Sequence, residues 1–298
     1  MGKSAPDGRL LSRRKFLKRS LIAGAGLALY SGEIERHWID MTHLDVAIKG
    51  LPEAFDGVRM AQLSDIHIDE YTEEFFLRQA VQKINALKPD MVMLTGDFVS
   101  RSPLGEKFAF GAAWRCAGLL KELQCPQRYA VLGNHDYDVG EHEITEALLG
   151  NGIPVLDNAY LPLEEIGGRK GGRIWLAGLE DPLSGEPKPE KAIPEKIRNV
   201  AGEPLLLLCH GPDYADDLMD GLPPGTVDLM LSGHTHGGQV RVPGLPPVLL
   251  PPMGRKYVHG HFHFGQMQLY VNRGIGTVGI PFRLACPPEI TMITLKRA

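Results

Sequence analysis

Five short apolar runs in this chain each stop at side chains able to bind a metal ion, and that regularity narrows the possible folds more than any other feature. The runs are "VRMAQL", "MVMLTG", "RYAVLG", "PLLLLC" and "VDLMLSG". Between them lie amphipathic stretches such as "EEFFLRQAVQKINAL", "FAFGAAWRCAGLLKEL", "HEITEALLG" and "YADDLMDGL". This alternation is the rhythm of β-α units. Strand-rich sequence then continues to the C-terminus.

Asp65 and His67 follow the first run, Asp97 the second, Asn134, His135 and Asp136 the third, His210 the fourth, and His234 and His236 the fifth. In open α/β sheets, ligands bind in the crevice outside the C-terminal strand ends, where loops from several strands converge. All five sets are therefore expected to face one cleft. Asp65 and His67 are spaced by two, as are His234 and His236, so an extended local chain would present both members of each pair to one side. Carboxylate oxygen, imidazole nitrogen and amide oxygen suit divalent Mn, Fe or Zn and do not suit copper(I). The seven candidates Asp65, His67, Asp97, Asn134, His210, His234 and His236 exceed the needs of one ion. A shared aspartate would make two, the arrangement that clamps the attacking and leaving oxygens of an in-line displacement. Singly, each element has a plain structural reading: an aspartate after a strand caps the next helix, Gly96-Asp97 forms a turn, and His210 is a hydrogen-bonded core histidine. Five such coincidences at five strand ends are harder to accept than one site.

The ordered set Asp65-Ile66-His67, Gly96-Asp97, Gly133-Asn134-His135-Asp136, His210 and Gly233-His234-Thr235-His236 resembles the calcineurin-like metallophosphoesterase family. The resemblance covers most of the chain from Val58 onward. It implies an α/β fold, a four-layer αββα sandwich, in a single domain over residues 58–298. It also implies two divalent metal ions, one held by Asp65, His67 and His236, the other by Asn134, His210 and His234, with Asp97 bridging. The reaction so implied is hydrolysis of a phosphodiester or pyrophosphate by a hydroxide shared between the ions, with His135 protonating the leaving group or contacting the transition state. One position departs from the family pattern. Many members continue the second motif as G-D-x-x-D, the later aspartate orienting the catalytic histidine, whereas "GDFVS" offers Ser100. Asp136 or water would have to substitute.

The N-terminal stretch "SRRKFLKRSLIAGAGLALYSG" pairs Arg13 with Arg14, then runs without charge from Leu21 to Tyr30. That run is shorter than the roughly 20 residues a membrane span needs. Its layout is that of an export signal, and the arginine pair resembles the twin-arginine type. Residues 1–32 are thus expected to be a signal segment and 33–57 a connector carrying the first strand. The implied partner is the twin-arginine export machinery, and the implied location is the periplasm or cell envelope, with a membrane anchor if the signal is retained. This leader and the terminal "LYVNRGIGTVGIPFRLACPPEITMITL" resemble exported bacterial phosphodiesterases and UDP-2,3-diacylglucosamine hydrolases, which implies a phosphate ester that is lipid-linked or part of the cell wall.

Composition removes some alternatives. Lys+Arg 32 against Asp+Glu 36 gives a net charge of -4, so no positive field exists to hold a polyanion; a nuclease is disfavoured and no nucleic-acid partner is expected. A non-catalytic metal-binding or phosphate-binding module remains the other reading, against which His135 argues. Cys116, Cys125, Cys209 and Cys286 form no C-x-x-C pair, although an oxidising compartment would allow a Cys116–Cys125 bridge. His259, His261 and His263 alternate as on a solvated strand face. "VPGLPPVLLPPMG" reads as a stiff packed loop or a path for a lipid tail, and Arg273 and Arg283 as packing residues or phosphate contacts.

Overall fold

The computed structural model describes residues 13–68, 73–101, 105–247 and 249–298. Its strands are β1 (Asp40–Ile48), β2 (Arg59–Leu63), β3 (Met91–Thr95), β4 (Arg128–Val131), β5 (Ala159–Ile166), β6 (Arg169–Gly178), β7 (Leu205–Leu208), β8 (Leu229–Ser232), β9 (Gly260–Phe264), β10 (Met267–Val271) and β11 (Glu289–Arg297). They form two sheets, ordered β1-β11-β2-β3-β4 and β5-β6-β7-β8-β10-β9. Within them β2, β3 and β4 run parallel, as do β6, β7, β8 and β10. The parallel strands β3, β7 and β8 are buried along their whole length, which is why they read as unbroken apolar runs.

Helices α1 (Arg13–Leu29), α2 (Glu74–Leu87), α3 (Glu106–Leu120), α4 (Asn134–Val139), α5 (Glu141–Gly150), α6 (Pro189–Ala192) and α7 (Ala215–Gly221) complete the layers. Phe76, Leu77, Ala80, Val81 and Ile84 give α2 one buried face, and the helix stops where Lys88 turns left-handed (φ 50°) ahead of Pro89. That face, with Ala112, Ala113, Cys116 and Ala117 of α3 and Ile144 and Leu148 of α5, packs on one side of the first sheet. A second apolar layer fills the space between the sheets, where Met60, Met91 and Met93 meet Leu176, Leu206 and Leu231. A third lies outside the second sheet, where Leu207 and Met230 meet Ala192, Leu218 and Tyr257. Helix, sheet, sheet, helix is the four-layer α/β sandwich expected.

Two parts were not visible in the sequence pattern. The β5–β6 hairpin, turning at Gly167-Gly168, has an outer half of charged residues and glycines that hides its strand period. The six-residue helix α4 grows directly out of the "GNHD" motif. No disulfide joins Cys116 to Cys125: all four cysteines are free and buried, Cys116 inside the helical layer and Cys125 donating its thiol to the carbonyl of Asp90 at 3.2 Å. The expected signal segment begins in residues that lie outside the described ones; its described part is α1, and no described helix is long and apolar enough to cross a membrane.

Candidate metal centre

The site forms where the C-terminal ends of parallel strands from both sheets come together. Gln62 of β2 ties them, donating its amide to the carbonyl of Ser232 on β8 at 2.9 Å. The turns beyond are not extended as the two-residue spacing suggested. Asp65, His67, Asp97, His234 and His236 all have left-handed backbones, with φ of 49°, 53°, 57°, 72° and 50°. Each such non-glycine residue costs on the order of 1 kcal/mol or more, and strain of this kind gathers at functional sites because the surroundings must enforce it. Here the enforcement is visible: the N–H groups of Ile66 and His67 both donate to the carbonyl of Asp97, at 2.8 and 3.0 Å. Asp136 holds the neighbouring turn, its buried carboxylate accepting from the backbone N–H of Gly133, Asp97, Phe98 and Val99. Burial, with Asp97 beside it, still pushes the Asp136 carboxyl up to about 8. Asp136 is thus a backbone clamp, its carboxylate hydrogen-bonded to main-chain N–H groups and not to His135.

These turns gather the sequence candidates into adjoining groups. Asp65, His67 and His236 form one, Asp97, His210 and His234 a second, and His67, Asp97 and His135 a third; within each, one donor atom per residue lies within 4.8 Å of the others. His67 Nε2 stands 3.5 Å from Asp97 Oδ2, His210 Nε2 3.1 Å from the same oxygen, and His236 Nε2 3.4 Å from Asp65 Oδ1. Asn134 opens α4, and its buried Oδ1 has no hydrogen-bond partner. His135 follows, its backbone N–H held by Asp97 Oδ1 at 2.9 Å and its ring edge-on to His67 at 4.9 Å between centroids. The structure therefore groups seven of the residues singled out in the sequence, Asp65, His67, Asp97, His135, His210, His234 and His236, with Asn134 next to His135 in the chain.

Protonation of the rings follows from their partners. His210 Nδ1 faces the carbonyl of Thr95 at 2.6 Å, which can only accept, so Nδ1 carries a proton. By the same reasoning His234 carries one on Nε2, donated to the carbonyl of Pro252 at 2.6 Å, which leaves Nδ1 as its free donor atom. Burial lowers His67 to about 3 and His234 to about 4, and holds His236 well below its ordinary value, so all three are neutral at physiological pH. Burial also raises Asp65 to about 6. His210 and Asp97 behave as a pair: burial works against both charges, yet their proximity holds His210 well above and Asp97 well below their usual ranges. A protonated imidazole inside a ring of neutral ones supplies the positive charge that the two aspartates demand. A divalent cation would displace that proton and take its place. Neutral imidazoles, carboxylates, an orphaned amide oxygen and second partners already fixing the rings together fit a divalent metal ion.

Several neighbours differ from expectation. Ser100 hydrogen-bonds His67 Nδ1 at 2.9 Å, so it orients His67 and not His135. Arg283 is fully buried, and its guanidinium donates to the carbonyls of Arg273, Gly274, Gly276 and Cys286, which makes it a staple for the glycine-rich segment. Arg273 is paired with Glu289 and Asp40. His261 and His263 lie on β9 and belong to none of the metal-competent groups among the described residues. Asp181 was missed: fully buried beyond β6, it accepts from Leu183 and Ser184 through Oδ2, while Oδ1 has no partner. The signal was present in "GLEDP", which follows an apolar strand as the other motifs do.

The family model for calcineurin-like phosphoesterases matches residues 58–238. The chain is 33% identical to the metallophosphoesterase YkuE of Bacillus subtilis over 296 residues, covering 96% of this chain and 98% of the other. It is 31% identical to the phosphodiesterase YaeI of Escherichia coli over 293 residues, covering 96% and 100%. Similarity to the UDP-2,3-diacylglucosamine pyrophosphatase LpxG of Chlamydia muridarum is 25% over 327 residues, covering 89% and 92%. With more than half its length matched and the motif residues gathered at the ends of both sheets, the chain belongs to the calcineurin-like phosphoesterase family of metal-dependent phosphoric ester hydrolases.

Proposed function

We propose that the protein hydrolyses a phosphodiester or a pyrophosphate, on a lipid-linked or cell-envelope substrate, at a centre for two divalent ions. The observation that carries this reading is the side-by-side arrangement of the trios Asp65, His67, His236 and Asp97, His210, His234. In this reading Asp97 is shared and Asn134 joins the second trio with its otherwise unpartnered Oδ1. When bound, divalent ions there neutralise charge on the phosphoryl oxygens and generate the nucleophile from water near neutral pH.

The protein's own groups divide the remaining work. Ser100, Thr95 and Pro252 fix the rings of His67, His210 and His234, so the donor atoms need no reorganisation on binding. Asp136 keeps the Asp97 and Gly133 turns in register. His135, half-buried on the first turn of α4, is the group that can reach substrate, and it delivers a proton to the leaving oxygen. Support for a diester or pyrophosphate comes from the names of two relatives, a phosphodiesterase and a UDP-2,3-diacylglucosamine pyrophosphatase. Arg13 and Arg14 ahead of the uncharged half of α1 support twin-arginine export to the cell envelope.

The test is turnover of a panel of phosphate monoesters, diesters and nucleoside-diphosphate esters by purified protein with added Mn, alongside elemental analysis. Diester or pyrophosphate cleavage with two equivalents of metal is the expected result. Monoester cleavage alone, or one equivalent, would overturn it.

A further inference from the structure

Among the described residues, fourteen of the twenty exposed large apolar side chains fall in two stretches, residues 16–38 and 240–280. The structure stitches these stretches into one face beside the metal centre. Residues 240–247 follow the turn at His236–Gly238, and residues 249–252 lead to Pro252, whose carbonyl accepts from His234, so both stretches are anchored on the site. Between those anchors Val242, Leu245 and Leu249 are 52%, 57% and 83% exposed. Gln239 donates to the carbonyls of Val278 and Ile280, and Arg241 N–H to that of Leu284, which brings up Ile280, itself 52% exposed. Arg283 N–H then bonds the carbonyl of Ser31, and Phe282 lies against Gly32, joining the segment that carries Trp38, 63% exposed.

We propose that this face docks on an anionic lipid bilayer and so presents lipid-borne phosphoesters to the metal centre; the second half of the statement rests on the hydrolase reading above. Three observations select a bilayer as the occupant. The face continues into α1, which buries no residue and puts Arg13, Arg14, Lys15, Lys18 and Arg19 in one half and an uncharged run in the other. A basic half beside an apolar half complements anionic head groups lying over acyl chains. The uncharged run, Leu21 to Tyr30, extends only about 15 Å at 1.5 Å per residue, against a hydrocarbon core of about 30 Å, so it enters one leaflet and does not span. Finally, the exposed Tyr30 and Trp38 are the aromatic types that settle at the membrane interface.

The experiment uses the full chain and vesicles of phosphatidylcholine with phosphatidylglycerol. Because all four native cysteines are buried, a single Leu249→Cys substitution can carry an environment-sensitive fluorophore, with Leu149→Cys, 53% exposed on α5, as the control. The label at 249 should brighten and shift to the blue on adding vesicles, and the label at 149 should not change. A Leu245→Asp, Leu249→Asp variant should lose about 10-fold or more in vesicle partition while hydrolysing soluble bis(para-nitrophenyl) phosphate as fast as the parent. Docking is overturned if the 249 label stays silent on protein that floats with the vesicles, if the double variant partitions like the parent, or if the label already responds without lipid as protein concentration rises, which would assign the face to a second copy. If neither protein cleaves the soluble ester, the hydrolase reading fails while the label still decides the docking.

Discussion

The Nε2 atoms of His67 and His236 stand 3.0 Å apart, although the residues are 169 positions apart in the chain. Burial keeps both rings from carrying charge, so two neutral imidazoles aim nitrogen at a common point next to Asp65. A divalent cation there would also relieve the buried carboxylates. Occupancy at a hundredfold excess over Kd adds about 2.7 kcal/mol, which in a chain of this size raises Tm by roughly 4 °C. Adding Mn to chelator-stripped protein should show that shift in a thermal melt. A melt indifferent to both Mn and chelator would refute the metal centre.

His135 lies near His67 and Asp97 but belongs to neither of the two trios, Asp65, His67, His236 and Asp97, His210, His234, on which the proposed centre rests. Its backbone is pinned by Asp97, and its ring packs edge-on to His67, so removing the ring leaves the turn intact. His135→Ala should keep its metal by elemental analysis and lose turnover by about 10²-fold or more. Full activity in this variant would remove His135 from the chemistry. Loss of metal would instead make it a ligand.

The hydroxyl of Ser100 reaches His67 Nδ1 at 2.9 Å. A group that orients a ligating imidazole typically changes metal affinity by about 10–100-fold when removed. Ser100→Ala should therefore weaken the binding of one ion while the pH profile of turnover keeps its shape, since His135 is untouched. A titration by calorimetry separates the outcomes: unchanged affinity would mean that His67 is held by its packing alone.

How much of this could be read from sequence follows from what each feature depends on. The five strand ends were legible because β3, β7 and β8 are buried along their whole length, and β2 and β4 at their C-terminal ends, so each apolar run stops abruptly where the polar turn begins. The left-handed turns at Asp65, His67, His234 and His236 were not, because nothing in a two-residue spacing distinguishes an extended pair from one bent onto the carbonyl of Asp97. Arg283 carries no local sign of burial either. Its acceptors are carbonyls of a glycine-rich loop that folds back around it, a tertiary arrangement that leaves no periodic pattern. Asp181 and the strand before it were hidden by the charged β5–β6 turn, although the same strand-end rule applied to them.

Asp228 offers a pH test well away from the metal centre. It precedes β8, its Oδ2 accepts the N–H of Leu205 at 2.8 Å, and burial pushes its carboxyl from 3.8 up to about 6. Between those values the folded protein holds a proton that the unfolded chain has released, so stability falls as pH rises through the window and the loss is complete above it. The penalty near neutral pH is on the order of 1–3 kcal/mol. Asp228→Asn retains an acceptor for Leu205 and has no charge to desolvate. The variant should therefore be more stable than the parent in urea melts at about pH 8, with the gap narrowing toward about pH 5. A gap that does not vary with pH, or a variant weaker than the parent at about pH 8, would show that the carboxylate is already solvated in the folded state.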